Sequence, residues 1–363
     1  MPADRSAGGL PANTVEILTE VSGIAAAPAG LAERADALLA QVQRVVPFEA
    51  GMIALLPSGQ RSYRALSRHG YDDHANEYYD GPEFLHDVEL VGLQRSPLAR
   101  RMVDLPVPPA EIRLWREYLL PAGFHEGFGI GLFTPDRRYA GLLGAATERA
   151  TPPDPDAINL IGLLAPQIAN AVDPWRSLST IAGMVHAAIA GVVLAPSGAL
   201  LPLPGLPDHR LLVVGSGVLA AAAEQLADGG PHASFLAPLP GRDGTQTHAR
   251  ITVLATPSEL QAFARAVILV SPAGEMHGLS GRELEVLGLL VTGASNERIA
   301  ATLGITGRTV EAHVDHLRAK LDAPSRTAAA ARALRLGLFV PCPPNVRPGA
   351  PSSPADPPGR PTS

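Results

Sequence analysis

Apolar residues three and four positions apart over residues 14–46 ("TVEILTEVSGIAAAPAGLAERADALLAQVQRVV") predict helices interrupted at "APAG". The period then shortens. "AGMIALL" (50–56) and "RSYRALS" (61–67) flank the turn "PSGQ" and read as a strand pair. After an irregular, aromatic-bearing stretch from 71 to 124, "GFGIGLFT" and "YAGLLGAAT" form a second pair around the turn "PDRR". Residues 154–172 return to helical spacing, with Pro166 expected to kink the helix.

A second block over 176–272 repeats the mixture in another order. It starts with the helix "RSLSTIAGMVHAAI", continues with the strand pair "GVVLAPSGALLPLPG" and the helix "GVLAAAAEQLADGG", and closes with the strand-like "SFLAPLP", "HARITVLATP" and "ARAVILVSP". The order helix, hairpin, variable middle, hairpin, helix over 14–172 resembles a GAF domain, a sensor built on an antiparallel sheet. Two strands, a helical middle and three closing strands over 176–272 resemble a PAS-like sensor. No sequence repeat relates the blocks. The expected fold class is therefore α+β: two antiparallel-sheet sensor domains, followed by an all-α module at 275–341. Residues 342–363 are Pro-, Gly- and Ser-rich and are expected to be a disordered tail.

The all-α module has the sharpest local signals. Ser280 and Glu283 in "SGRE" form a capping box ahead of "ELEVLGLLVT", with Gly293 as its stop. Ser295 or Asn296 caps "ERIAATL", which ends at Gly304; Thr306 caps a third helix, and Ser325 caps "RTAAAARALRL" up to Gly337. Four short capped helices with a glycine-marked turn between the second and third describe a helix-turn-helix. The run "LSGRELEVLGLLVTGASNERIAATLGITGRTVEAHVDHLRAKLDAPSRTAAAARA" resembles the DNA-binding domain of LuxR-type regulators through "RELEVL", Gly293, "SNERIAATLGI", "TVEAH" and "KL".

On a helical wheel Val310, Val314, Leu317 and Leu321 of the third helix fall within about 60° of one another and must face the other helices. Arg308, Glu311, Ala312, Asp315 and Ala319 point outward, His316 lies at the border, and His313 lies beside the apolar stripe. The resemblance implies that Glu311, Ala312 and Asp315 face bases in the major groove. Thr306, Arg308, Thr309, His316 and Lys320 would then lie nearer the phosphate backbone. Many relatives carry bases where Glu311 and Asp315 stand. Carboxylates repel phosphate but can accept from cytosine N4, so selective and weak binding is expected. A blander reading of the two acids is solvated surface with an i, i+4 pairing and no base contact. The Ala-rich fourth helix, which the family uses for dimer contact, implies a homodimer on double-stranded DNA, and the resemblance leaves contact with RNA polymerase open.

Charge sharpens this picture. Residues 278–341 hold 8 Arg or Lys against 6 Asp or Glu, which leaves 21 of the chain's 29 bases and 29 of its 35 acids elsewhere. A +2 module on a −8 body fits a chain whose end meets nucleic acid and whose body does not. Lys320 is the only lysine among 363 residues, and it follows Ala319 within a helix. That excludes a Walker A loop, a lysine Schiff base and the lysine-dependent site of a phosphoacceptor receiver domain. The single cysteine, Cys342, excludes an intrachain disulfide or a cysteine zinc site. No apolar run approaches the ~20 residues of a membrane helix, and no basic-then-apolar start marks a secretion signal, so the chain is expected in the cytoplasm.

Other clusters have weaker claims. The pair His313 and His316 has metal-ligand spacing without a cysteine or a convergent acid, and no metal or other cofactor is expected. His69, Asp72, Asp73 and His74 in "RHGYDDHANEYYDG" read as a polar connector starting a helix. Gly127, Gly129 and Gly131 alternate with Phe and Ile as in a strand, with no phosphate loop. Trp115, Tyr118, Phe124 and Phe128 are candidates for the lining of a sensor pocket, with plain core as the alternative. No G-x-S-x-G elbow anchors a hydrolase. The expectation is a non-enzymatic transcriptional regulator answering an unknown small molecule or protein. The alternatives are an enzyme in the first block that uses the helical module only for targeting, and sensor blocks that serve only dimerisation or docking.

Overall fold

The computed structural model describes residues 14–185, 187–227, 229–240 and 246–341, so Cys342 and the expected tail at 342–363 lie outside the described residues. Two compact units divide the chain. One comprises 1–184, 193–205 and 256–267; the other comprises 185–192, 206–255 and 268–363.

In the first unit α1 (Thr14–Ala26) and α2 (Leu31–Val45) precede β1 (Ala50–Leu55) and β2 (Arg64–His69). Then come α3 (Asp73–Asp80), α4 (Glu83–Val91), the two-residue β3 (Arg100–Arg101), a π-helical turn at Leu114–Leu119, β4 (Glu126–Phe133), β5 (Tyr139–Thr147), α5 (Pro155–Ala171) and α6 (Pro174–Gly183). The strands form an antiparallel sheet in the order β2-β1-β5-β4-β3. Both faces are covered, which is why all six residues of β1 are buried. Ile53 and Leu55 of β1, with Phe128, Ile130 and Leu132 of β4, pack against α1, α2 and α5. Ala50, Met52 and Ala54 face the opposite layer of α3, α4 and the π-helical turn.

The stretch 71–124 is therefore more ordered than its sequence suggests. Asp72 caps α3 by accepting from the Ala75 amide, and Gly92, at φ 80°, ends α4. Buried Asp87 of α4 accepts from the amides of Arg113 and Leu114 and from the Tyr78 hydroxyl, so it fixes the start of the π-helical turn. Helix α5 runs from Pro155 to Ala171 with Pro166 inside it.

The second sheet contains β6 (Ala190–Leu194), β7 (Leu200–Pro202), β8 (His232–Pro240), β9 (Gln246–Ala255) and β10 (Ala266–Pro272), with α7 (Gly217–Ala227) between β7 and β8. Its order, β7-β6-β10-β9-β8, is the order of the first sheet with every number raised by five. The chain thus repeats a topology without repeating a sequence. Turn placement and alternation set such a topology, and many residue sets satisfy both.

The helical module consists of α8 (Gly281–Val291), α9 (Asn296–Leu303), α10 (Gly307–Lys320) and α11 (Arg326–Leu336). Leu284, Leu287, Ile299, Val310, Leu317, Ala329 and Ala333, all without measurable exposure, form its core. No helix among the described residues is long and apolar enough to cross a membrane.

Candidate nucleic-acid interface

Each helix of the module starts where a side chain can satisfy free amides. Ser280 and Glu283 make the full capping box on α8. Ser295, Thr306 and Ser325 accept from the amides of Arg298, Thr309 and Ala328 at the starts of α9, α10 and α11. Gly304, at φ 64° and ψ 38°, lets α9 stop and turn into α10 within three residues, a conformation that a side chain at this position would strain. Short α9 and α10 are thereby set as a helix-turn-helix.

The wheel assigned to α10 holds. Val310, Val314, Leu317 and the following Leu321 are buried, whereas Arg308, Glu311, Ala312, Asp315, His316 and Ala319 are exposed and His313 is half-buried. These exposed positions make one continuous outer face over the length of the helix. Thr306 is exposed at the start, and its hydroxyl lies 2.8 Å from that of half-buried Thr309, so both hydroxyls are partly taken up by the cap. The Asp315 carboxylate makes only a long 3.5 Å contact with Arg318, whose guanidinium also donates to the Pro324 carbonyl at 2.9 Å.

Lys320 sits differently from the sequence expectation. Its ammonium donates to both oxygens of Glu283, at 3.0 and 2.8 Å, and to the Gly278 carbonyl at 2.8 Å. Its charge is turned into the module, because a buried carboxylate 37 residues upstream is the nearer anion. Burial pushes the Glu283 carboxyl up, but hydrogen bonds from Lys320 and from the Ser280 amide and hydroxyl outweigh it and hold the group below its ordinary value.

Several arginines of the module are also internal ties. Arg282 bonds Glu285 and the Leu303 carbonyl, Arg326 bonds Asn296 and the Ala294 carbonyl, and Arg332 reaches the Asp322 carbonyl. Among the described residues Arg298, Arg308 and Arg335 keep guanidiniums without a hydrogen bond or ion pair. Arg298, on α9, was not singled out in the sequence; its place as the third residue of the helix that Ser295 caps is the signal that marks it.

The remaining sequence candidates separate. His69 stacks on Phe48 with ring centroids 6.1 Å apart, Asp72 is a helix cap, and His74 lies against Tyr118 at 4.6 Å. Among the described residues no group of three or more His, Cys, Asp or Glu is placed to hold a metal. Of the four aromatic residues proposed for a pocket, Trp115 lines a cavity of about 90 Å³ between the first sheet and its α3–α4 layer. Phe128 borders it, but its ring packs edge-on to Phe48 in the core on the other face, as the two-residue period of β4 requires. Phe124 packs on Tyr71 outside the cavity lining, and Tyr118 stacks on Tyr78 at 4.4 Å. Burial pushes the cavity-lining Tyr71 hydroxyl up to about 12 and raises that of Tyr79 well above its ordinary value, so both remain protonated. Gly127 and Gly129 provide the floor, where an added Cβ would come within 3.1 Å of the Trp115 ring and of Leu93 respectively.

Comparison with known proteins agrees with the helical geometry. Residues 277–333 match the GerE family, described as bacterial regulatory proteins of the luxR family. The transcriptional regulatory protein YhcZ of Bacillus subtilis, itself described as uncharacterized, is 45% identical over 60 residues, which are 16% of this chain and 28% of that protein. The transcriptional regulatory protein MctR of Rhizobium johnstonii is 54% identical over 43 residues, 12% of this chain and 20% of MctR. The chain thus spans less than a third of the length of these curated relatives. The GAF domain of a phosphoenolpyruvate-protein phosphotransferase from Coxiella burnetii aligns over 48% of this chain and 98% of that one, at 16% identity and a TM-score of 0.34. The caps, the glycine-marked turn, the buried stripe of α10 and the matched residues converge: residues 277–333 are a helix-turn-helix domain of the luxR family of bacterial regulatory proteins.

Proposed function

We propose that this chain is a sequence-specific, DNA-binding transcriptional regulator that acts in the cytoplasm as a homodimer and answers a signal received by its sheet-bearing units. The supporting observation is the unobstructed outer face of α10, from Arg308 to Ala319, on a helix whose other side is buried. A helix of this size enters a major groove, and side chains on its N-terminal half reach base edges. Arg308 and Arg298 supply phosphate contacts, Ala312 permits close approach and contact with a thymine methyl, and Glu311 and Asp315 accept from cytosine N4. Thr306, Thr309 and His316 border the backbone, while Lys320 acts by fixing α10 to α8.

The outward side of α11, with Thr327, Ala331 and half-exposed Leu334, is the proposed dimer surface. Two-fold pairing matches a palindromic operator with half-sites one helical turn apart, about 10 base pairs. A signal would shift the sensor units between arrangements that differ in how they present this dimer. Selection of fragments bound by the full-length chain from random duplex DNA tests the proposal. The expected result is enrichment of a symmetric site, and absence of any preferred duplex over competitor at low ionic strength would overturn it.

A further inference from the structure

The cavity beneath α3 and α4 is apolar over most of its wall, with Met52, Phe84, Leu105 and Trp115 among its lining residues. One cation breaks that pattern. Arg100 of β3 also lines the cavity, and its register partner is Gly129 of β4. Residues directly opposed in an antiparallel pair point to the same face, so Arg100 stands on the cavity side of the sheet. Its neighbour Arg101 is opposed to Phe128, faces the other way, and has its own carboxylate in Asp104, at 2.7 and 3.1 Å. Arg100 feels the Asp104 carboxylate only at longer range, with no ion pair or hydrogen bond to it among the described residues, and its Nε is buried without a hydrogen bond.

A half-buried guanidinium with an orphaned N–H calls for an anion, since desolvating a cation without pairing it is costly. The acid within the cavity wall cannot serve. Asp87 is already saturated by the Tyr78 hydroxyl and the amides of Arg113 and Leu114. From these observations we infer that the cavity binds a small monocarboxylate, with the carboxylate on Arg100 and an apolar body among Met52, Phe84 and Leu105. The size sets the class. An apolar cavity of about 150 Å³ takes a benzene ring, so about 90 Å³ takes a body of roughly three to five carbons. A guanidinium fork suits the planar, two-oxygen head of such an acid. This inference deepens the reading of the first unit as a sensor and rests on it, while the DNA-binding module is independent of it.

Isovalerate and its neutral isostere isovaleramide, titrated into the full-length chain at constant ionic strength and followed by saturation-transfer NMR, test the assignment. Isovalerate is expected to bind at least tenfold more tightly than the amide. Arg100→Gln should remove that preference, with Arg100→Lys intermediate. Leu105→Phe, which fills the cavity from its rim and leaves the charge intact, should abolish both. Failure of isovalerate to bind, equal affinity for the two compounds, or unaltered isovalerate affinity in Arg100→Gln would overturn the inference. Should Arg100→Gln not fold, Leu105→Phe decides in its place, and retained isovalerate binding there would overturn the assignment. Retention of duplex DNA by the same preparations reports separately on the regulator proposal.

Discussion

Lys320, the last residue of α10, lies 2.8 Å from the Glu283 carboxylate that closes the capping box of α8. One ion pair therefore ties the end of α10 to the start of α8. Glu283 is buried, and among the described residues its carboxylate's other hydrogen bonds come from the Ser280 amide and hydroxyl. Removing the lysine strands a buried charge, which costs about 3–5 kcal/mol for a fully buried pair. Because the Lys320 side chain is 36% exposed, solvent screening lowers the expectation for Lys320→Met to about 2–3 kcal/mol. Hydrogen exchange of the full-length chain should show amides in α8 and α10 exchanging roughly 30- to 150-fold faster.

The same carboxylate sets an acid limit on the module. Its pKa in the folded chain is held below the ordinary value, so in acid the unfolded chain binds the proton more readily than the folded one. The stability contributed by Glu283 is fully present above the unfolded carboxyl pKa of about 4.3 and is lost as pH falls from there through the folded value. Amide protection in α8 should therefore be insensitive to this group from pH 5 to 8 and should fall below pH 4. Glu283→Gln should flatten that acid-side fall while lowering protection at neutral pH.

These ties also show how much could be read from sequence alone. The helical module was legible because its information is local: each helix has its own cap, Gly304 and Gly337 mark left-handed stops, and the period of α10 separates its faces. The placement of Lys320 was not legible, since its partner is remote in sequence and only the packing of α8 on α10 brings them together. In the first unit the long strands were readable within a few residues. The layer over 71–124 was not, because α4 begins at Pro82 without a side-chain cap and β3 is two residues long. The start of the π-helical turn depends on Asp87, 27 residues from Leu114. The cavity needed register as well: alternation turns the Phe128 ring away, while pairing with Gly129 turns Arg100 toward it.

On DNA the residues proposed for phosphate and for base contacts should separate by kind of effect. Arg308→Ala and Arg298→Ala should weaken binding to specific and random duplexes alike, each reducing the salt slope by about 0.9 if one phosphate contact is lost. Asp315→Ala removes a negative charge, so binding to random DNA should tighten slightly, while discrimination at one base position falls by about 1–3 kcal/mol. Fluorescence anisotropy against the selected site and a scrambled duplex, over a salt series, measures both. Equal change on the two duplexes for Asp315→Ala would return that residue to solvated surface.

Arg250 of β9 joins the second sheet to the end of the helical module. Its guanidinium donates to the Leu336 carbonyl at 2.9 Å and to that of Gly337 at 3.4 Å, while holding the Ala273 carbonyl at 3.0 and 3.2 Å. It thus satisfies carbonyls that the last turn of α11 leaves free, and a cation there also meets the negative end of the helix dipole. The chain beyond Gly337 is fixed on both sides. The Phe339 carbonyl accepts from the Leu236 amide of β8 at 2.8 Å, its ring packs against Phe235, and the Val340 amide donates to Leu284 of α8. Gly337 is required twice over, since its φ is 63° and an added Cβ would come within 2.6 Å of Arg250 Nη1 and 2.7 Å of Ser234 Oγ. Gly337→Ala should therefore cost about 1–2 kcal/mol from the left-handed backbone alone, with a further loss from displacing Arg250. Arg250→Ala should release the same latch without backbone strain. Both variants should speed amide exchange at Leu338 and Val340 and expose the bonds around Phe339 to limited proteolysis, whereas exchange within α10 should hold its wild-type rate. If α10 loosens in step with Phe339, the latch and α10 form one cooperative element, and a signal reaching β8 or β9 would be felt directly at the surface proposed to meet DNA.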